Sequence, residues 1–279
     1  LIDSSSVIAL LDGDLGQFKA QEILGILQGR AQSLAGIPPI LAIALSMSIV
    51  PVISSAYAQK NMEKVNGQAS QALRIACLSG LPVVISLTVA ARPINGLLFS
   101  DTEGTWIIIL STVCAMFQIM MMTSGAVLLG LGKTRKTVVH VAVGIGLKLI
   151  GSLVLASWWG IYGIVAATGI CFIATMLLNF RELNKTAQIT LLGRRWFGFL
   201  AAAGIMAGAG AGIQAWTNGM GLFPGQALNF AVQSMLICGS VLVLYVFLLI
   251  LFRVVTREDL LNYPAPLQKA ARFFMKIKK

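Results

Sequence analysis

The sequence predicts an all-α protein, a polytopic transmembrane helix bundle, and three observations carry that prediction. Its 279 residues are 57% hydrophobic and 11% charged, with a mean hydropathy of +0.85. Soluble domains carry about 25% charged residues, so a chain this apolar has too little polar surface to cover a core, and lipid must be its solvent. The apolar runs are about 20 residues long, the length of a helix that crosses the hydrocarbon layer, and they lack the period-2 alternation of barrel strands. Backbone groups in lipid must bond within their own segment or a closed barrel, which leaves helices. Finally, the basic residues alternate between successive loops.

Residues 1–11 (LIDSSSVIALL) read as the last turns of a helix, followed by a loop at 12–21. A start inside an apolar segment, at Leu1, reads as the C-terminal part of a longer chain. The segment 22–56 is too long for one straight span, and Pro38-Pro39 near its middle predicts a kink, because neither proline donates a backbone hydrogen bond. Further spans are expected at 71–91, 105–131, 137–158, 161–180, 197–217 and 229–252, with a basic tail after them. The tail sequence PLQKAARFFMKIKK has the pattern of an amphipathic helix lying on a membrane surface or of a frayed end. The glycine-rich GIMAGAGAG (204–212) is small-residue helix packing rather than a nucleotide loop.

Lys60 and Lys64, then Lys133, Arg135 and Lys136, then Arg181, Lys185, Arg194 and Arg195, and seven residues of the tail lie on one side; Lys19 and Arg92 lie on the other. The positive-inside rule then places the tail and the basic loops in the cytoplasm of a multi-pass cell-membrane protein. Trp106, Trp158, Trp159, Trp196 and Trp216 all fall at predicted span ends, where an aromatic belt sits. The net charge of +11 is therefore a topology signal, and no nucleic-acid partner is expected.

Three ionisable residues lie deep in apolar segments, where each costs about 2.5–3.5 kcal/mol on insertion scales. Asp3, Arg30 and Lys148 share a depth of roughly 12–15 Å below the outer surface at 1.5 Å per residue. The simplest arrangement faces them into one polar cavity, with Asp3 the counter-ion of one or both cations. Arg74 and His140 lie close to the inner interface and read as interfacial. The four cysteines are scattered singly in apolar segments and read as small buried hydrophobes. No catalytic constellation, cofactor motif or metal-ligand set is present in the sequence, so the expectation is a non-enzyme without cofactor.

The run LIDSSSVIALL, the segment ILQGRAQSLAGIPPILAIALSMSIVPVISSAYA, then ARPINGLLF (91–99), LGLGKTRK (129–136) and GLKLIGSLVLASWWGIYGIVAATGI (146–170) follow one another in a familiar order. Over about residues 1–185 the chain resembles polysaccharide-export flippases of the multidrug/oligosaccharidyl-lipid/polysaccharide (MOP) exporter superfamily, in particular the stage V sporulation protein B and lipid II flippase MurJ groups. The resemblance implies a MATE-like fold of two six-helix lobes plus two terminal helices. Residues 1–185 would be the second lobe, 186–253 the two additional helices, and 254–279 a cytoplasmic tail. It implies alternating access, with a lipid-linked, anionic, pyrophosphate-bearing sugar carried from the inner to the outer leaflet, and a missing N-terminal lobe supplying half the cavity.

Residue by residue, Arg30 falls on the family's cavity arginine, displaced by about two residues relative to the following proline, and is a candidate substrate-binding residue with Lys148. Asp3 falls on an acidic position where some members hold sodium, together with an Asn, an Asp and a Thr. The Thr matches Thr168, but the Asn position is Lys148 and the Asp position Ser152. The resemblance thus assigns Asp3, Lys148 and Thr168 to charge pairing or coupling, without a bound metal. Two other readings stay open: a drug or cation antiporter of the same fold, and a non-transporting scaffold for cell-envelope synthesis. The surplus of base over acid disfavours the first, and the short loops disfavour the second.

Overall fold

The computed structural model describes residues 25–189, 196–218 and 225–252. Among them every regular element is helical: a π-helical turn Ile26–Ala31, then α1 (Gln32–Ala35), α2 (Ile37–Ala58), α3 (Met62–Val89), α4 (Ala91–Phe99), α5 (Thr105–Gly130), α6 (Thr134–Trp159), α7 (Ile161–Asn184), α8 (Trp196–Asn218) and α9 (Gln226–Leu251). Seven of these, α2, α3 and α5–α9, are long and apolar enough to cross a membrane. Helix α5 is the centre of the bundle and packs against α2, α3 and α7, while α6 rests chiefly on α7. The hairpin α8–α9 packs on α3 and α4.

Three elements differ from the sequence reading, each for a local reason. The segment expected as one helix kinked at Pro38-Pro39 is divided just before the prolines into the π-helical turn with α1, and α2. The chain breaks at Gly36, whose amide bonds back to the Gln32 carbonyl at 2.9 Å, and the prolines fall in the first turn of α2. First-turn amides have no intrahelical acceptor, so proline costs nothing there. Helix α3 begins nine residues before the apolar run expected at 71, because Asn61 caps it by accepting from the Lys64 amide at 3.0 Å. The stretch ARPINGLLF (91–99), read as part of a loop, forms the short helix α4 with Pro93 in its first turn. Ser100, at φ 62°, ends it. The tight turn to α5 closes on Gly104, at φ 69°.

The core divides by depth. One cluster joins Ile49 and Ile53 of α2, Leu73 of α3 and Leu128 of α5 with Leu183 of α7. A second, nearer the 100–104 turn, joins Leu27 and Ala31 to Ile108 of α5 and Ile164 of α7. A third seats Met206 of α8 and Ile237 and Val241 of α9 against α3 and α4. The outer face is also apolar: Met47, Phe197, Met235 and Val243 are largely exposed. Such a perimeter belongs in lipid, where an outward leucine or methionine costs nothing. Trp106, Trp158, Trp159 and Trp216 are exposed near the ends of α5, α6 and α8; the Trp196 side chain lies outside the described residues.

Candidate functional site

A cavity of about 300 Å³ opens between the π-helical turn with α1, and α5, α6 and α7. Helical spacing builds its walls. On α5, Ser111, Cys114 and Gln118 recur at three and four residues, so they share one face. On α7, Ile164, Thr168 and Phe172 repeat every four residues and do the same. Gln32 enters from α1 and Lys148 from α6. Lys148 is eleven residues from the end of α6 at Trp159, about 16 Å at 1.5 Å per residue, which is mid-depth. Thr168 is one helical turn nearer the 160 turn and donates its hydroxyl to the Ile164 carbonyl at 3.1 Å. Among the described lining residues there is one cation, three amide or hydroxyl groups besides Thr168, and no carboxylate.

Lys148 and Thr168, singled out from the sequence, therefore share this cavity. Ser152 lies one turn from Lys148 on α6 and is buried. Asp3 lies outside the described residues. Arg30 belongs to the π-helical turn, between the cavity-lining residues Leu27 and Gln32, but is not itself in the cavity wall. Its guanidinium forms a bidentate pair with Asp101 of the α4–α5 turn, through Nη1 to Oδ1 and Nη2 to Oδ2, the latter at 2.8 Å. Nη1 also approaches the Glu103 carbonyl at 3.5 Å, and the guanidinium lies 5.1 Å from the centre of the Phe99 ring. Asp101 in turn accepts from the Glu103 amide at 2.8 Å. The Arg30 guanidinium, then the Glu103 amide, hold the Asp101 carboxyl below its ordinary range.

Sequence reasoning missed Asp101, Gln32, Ser111 and Gln118. Ser111 and Gln118 carried a signal, being polar residues two turns apart in an apolar span. Asp101 carried none, because it is 71 residues from Arg30.

The opposite end of the bundle is polar in another way. His140 is buried and its Nδ1 donates to the Asn179 Oδ1 at 2.9 Å. That assignment follows from the amide, whose Nδ2 is already given to the Ser124 hydroxyl and the Met121 carbonyl, each at 3.2 Å. Three helices, α5, α6 and α7, are thereby joined. One turn further, Glu182 accepts from Lys133 at 2.7 Å and from Lys185 at 3.1 Å. His140, near the start of α6, is thus bonded within the core of the bundle.

Among the described residues, seven membrane-length helices with a cavity at mid-depth define a multi-pass helical membrane protein. The profile of the family described as Lipid II flippase MurJ matches residues 31–235, and the chain belongs to that family. Its relatives include three proteins of Bacillus subtilis (strain 168). It is 26% identical over 269 residues to the protein named Uncharacterized membrane protein YabM, covering 95% of this chain and 49% of that one. It is 24% identical over 207 residues to Lipid II flippase MurJ, covering 72% and 38%. It is 26% identical over 248 residues to Stage V sporulation protein B, covering 86% and 45%. The chain thus spans about half the length, or less, of these curated relatives.

Proposed function

We propose that the chain is the second lobe of a flippase that carries a lipid-linked, anionic saccharide precursor across the membrane by alternating access, with residues 186–253 as two further helices. The observation that carries this reading is Lys148: an ammonium at mid-depth of an apolar bundle, in a cavity whose other described polar lining residues are neutral. Charged side chains inside a membrane bundle are costly and mark substrate and ion paths. A phosphate-bearing head group supplies the matching anion, and the amides and hydroxyls of Gln32, Ser111, Gln118 and Thr168 suit sugar hydroxyls. Arg30, beside the cavity, is the second cation, with a fork that binds phosphate oxygens in pairs. A carrier of cationic drugs would need acid in place of Lys148.

In the same reading the basic loops and the tail face the cytoplasm, and Asp3 pairs with the Lys148 ammonium in place of sodium. Transport is then independent of sodium. The test is complementation of a flippase-depleted strain by the full-length protein. Arg30→Ala and Lys148→Ala are expected to insert normally and fail to complement. Full complementation by both, or a sodium requirement for transport by the wild type, contradicts the reading.

A further inference from the structure

The turn that carries Arg30 is irregular and is stitched to the α4–α5 turn at two points. Residues 26–31 are π-helical, a geometry that recurs as single turns at functional sites. At one point Ile26 packs so closely on Gly104 that a Cβ there would lie 2.2 Å from the isoleucine Cγ2. At the other, Arg30 grips Asp101 in the bidentate pair, with Phe99 beneath the guanidinium. The same turn supplies cavity wall: Leu27 lies three residues before Arg30, on the neighbouring surface of the turn, and Gln32 two residues after it. Arg30 thus sits on the turn that walls the cavity, with its charge turned to an internal carboxylate. The pair is partly open to solvent, with side-chain exposures of 21% for Arg30 and 41% for Asp101, so it exchanges partners without crossing a dry barrier.

We infer that Asp101 is a positioning residue whose carboxylate holds the Arg30 guanidinium and competes with the phosphate oxygens of the cargo for the same fork. The competition arises at the Nη1/Nη2 edge that Asp101 takes: a phosphate bound there uses the same paired hydrogens, and one edge holds one anion at a time. Binding of the anion would then release Asp101, and with it the tie between the π-helical turn and the α4–α5 turn. Occupancy of the cavity is in this way coupled to the attachment of its wall. The inference rests on the anionic-cargo reading above.

The experiment is equilibrium binding of inorganic pyrophosphate, and in a second arm of a short polyprenyl pyrophosphate, to the purified full-length protein in detergent. The variants are Asp101→Asn, Asp101→Glu, Arg30→Ala and the double variant Asp101→Asn/Arg30→Ala, with thermal stability followed in parallel. Removing the competing charge is expected to tighten binding of at least one probe by roughly fivefold, the upper end for a part-exposed ion pair. Asp101→Glu should restore the wild-type affinity within about twofold. Arg30→Ala should lose binding, and the double variant should match Arg30→Ala, since Asp101 acts only through Arg30. A response in the second arm alone makes the lipid part of the ligand. A structural role for Asp101 would lower stability without tightening binding. Unchanged or weakened affinity in Asp101→Asn, with Arg30→Ala still defective, overturns the competition and leaves the anionic-cargo reading standing. Absence of binding by every variant in both arms overturns the two together.

Discussion

The two ends of the bundle are held by different physics. At the end with the 131–133 turn, α5, α6 and α7 are joined by a buried chain of Ser124, Asn179 and His140, continued by Glu182 between Lys133 and Lys185. Each of those groups is paired, and Gly144 lets α6 and α7 approach closely. At the end with the 100–104 turn, buried Asn95 donates to the Glu103 carbonyl and the Thr105 hydroxyl, but the π-helical turn beside the cavity is tied to that turn through a part-exposed ion pair. The difference teaches how one bundle holds its two ends with unequal strength. Satisfied, buried polar networks resist change because breaking them strands groups in a low dielectric, while a single exposed pair is worth little and is exchanged readily.

Three substitutions sharpen this contrast. The largest effect is expected for Gly144→Ala, where the added Cβ would lie 2.1 Å from the Thr175 hydroxyl and 3.3 Å from the Cys171 carbonyl. Thr175 must leave its rotamer or α6 and α7 must separate, at a cost of up to about 3 kcal/mol. Denaturation of the full-length protein in detergent should show that loss, with the pyrophosphate affinity of the surviving folded protein unchanged. Unaltered stability would mean that the close approach does not hold the hairpin.

His140→Ala is expected to be milder. It leaves the Asn179 Oδ1 without its donor in a buried site, a loss of about 1–2 kcal/mol, and Asn179→Leu in the same background should recover part of it by removing the stranded amide. Thermal melts of the two variants and the wild type check this. A double variant weaker than His140→Ala alone by the full cost of Asn179→Leu would show the two residues to be uncoupled.

The sequence made the bundle legible wherever apolar length and a turn coincide. Helices α5 to α7 lie within a few residues of their expected ends because Gly104 at the start of α5, Gly132 after it and Gly160 between α6 and α7 all adopt positive φ and mark turns. Helix α4 was illegible because nine residues with Arg92 and Pro93 near the start look like a loop, and packing supplies what periodicity does not: Phe230 of α9 fills the space that a side chain at Gly96 would need. Of the site, Lys148 was legible from its depth in an apolar span, whereas Thr168 came from the family resemblance; both line the cavity. The direction of Arg30 was not. It depends on a π-helical turn and on an aspartate distant in the chain, neither of which leaves a local pattern.

The smallest effect concerns pH. Because the folded Asp101 carboxyl is held below its ordinary value by Arg30 and the Glu103 amide, the pair contributes stability that is present above the unfolded carboxyl's pKa of about 3.9. That contribution is lost as pH falls through the lower, folded value. Melting temperatures followed from pH 6 downward should show a shallow decline below about pH 4 that is reduced in Asp101→Asn. An identical decline in that variant would assign it to other carboxylates.

The central claim is that the mid-depth cavity takes an anion, and binding by the full-length protein tests it most directly. A lipid-linked pyrophosphate sugar and the lipophilic cation tetraphenylphosphonium are offered separately to the wild type and to Lys148→Ala. The account predicts that the wild type binds the anion in preference to the cation, and that Lys148→Ala loses at least about tenfold in anion affinity, the equivalent of about 1.4 kcal/mol for one charge-assisted contact. Preferential binding of tetraphenylphosphonium by the wild type, or anion affinity untouched by Lys148→Ala, would contradict it.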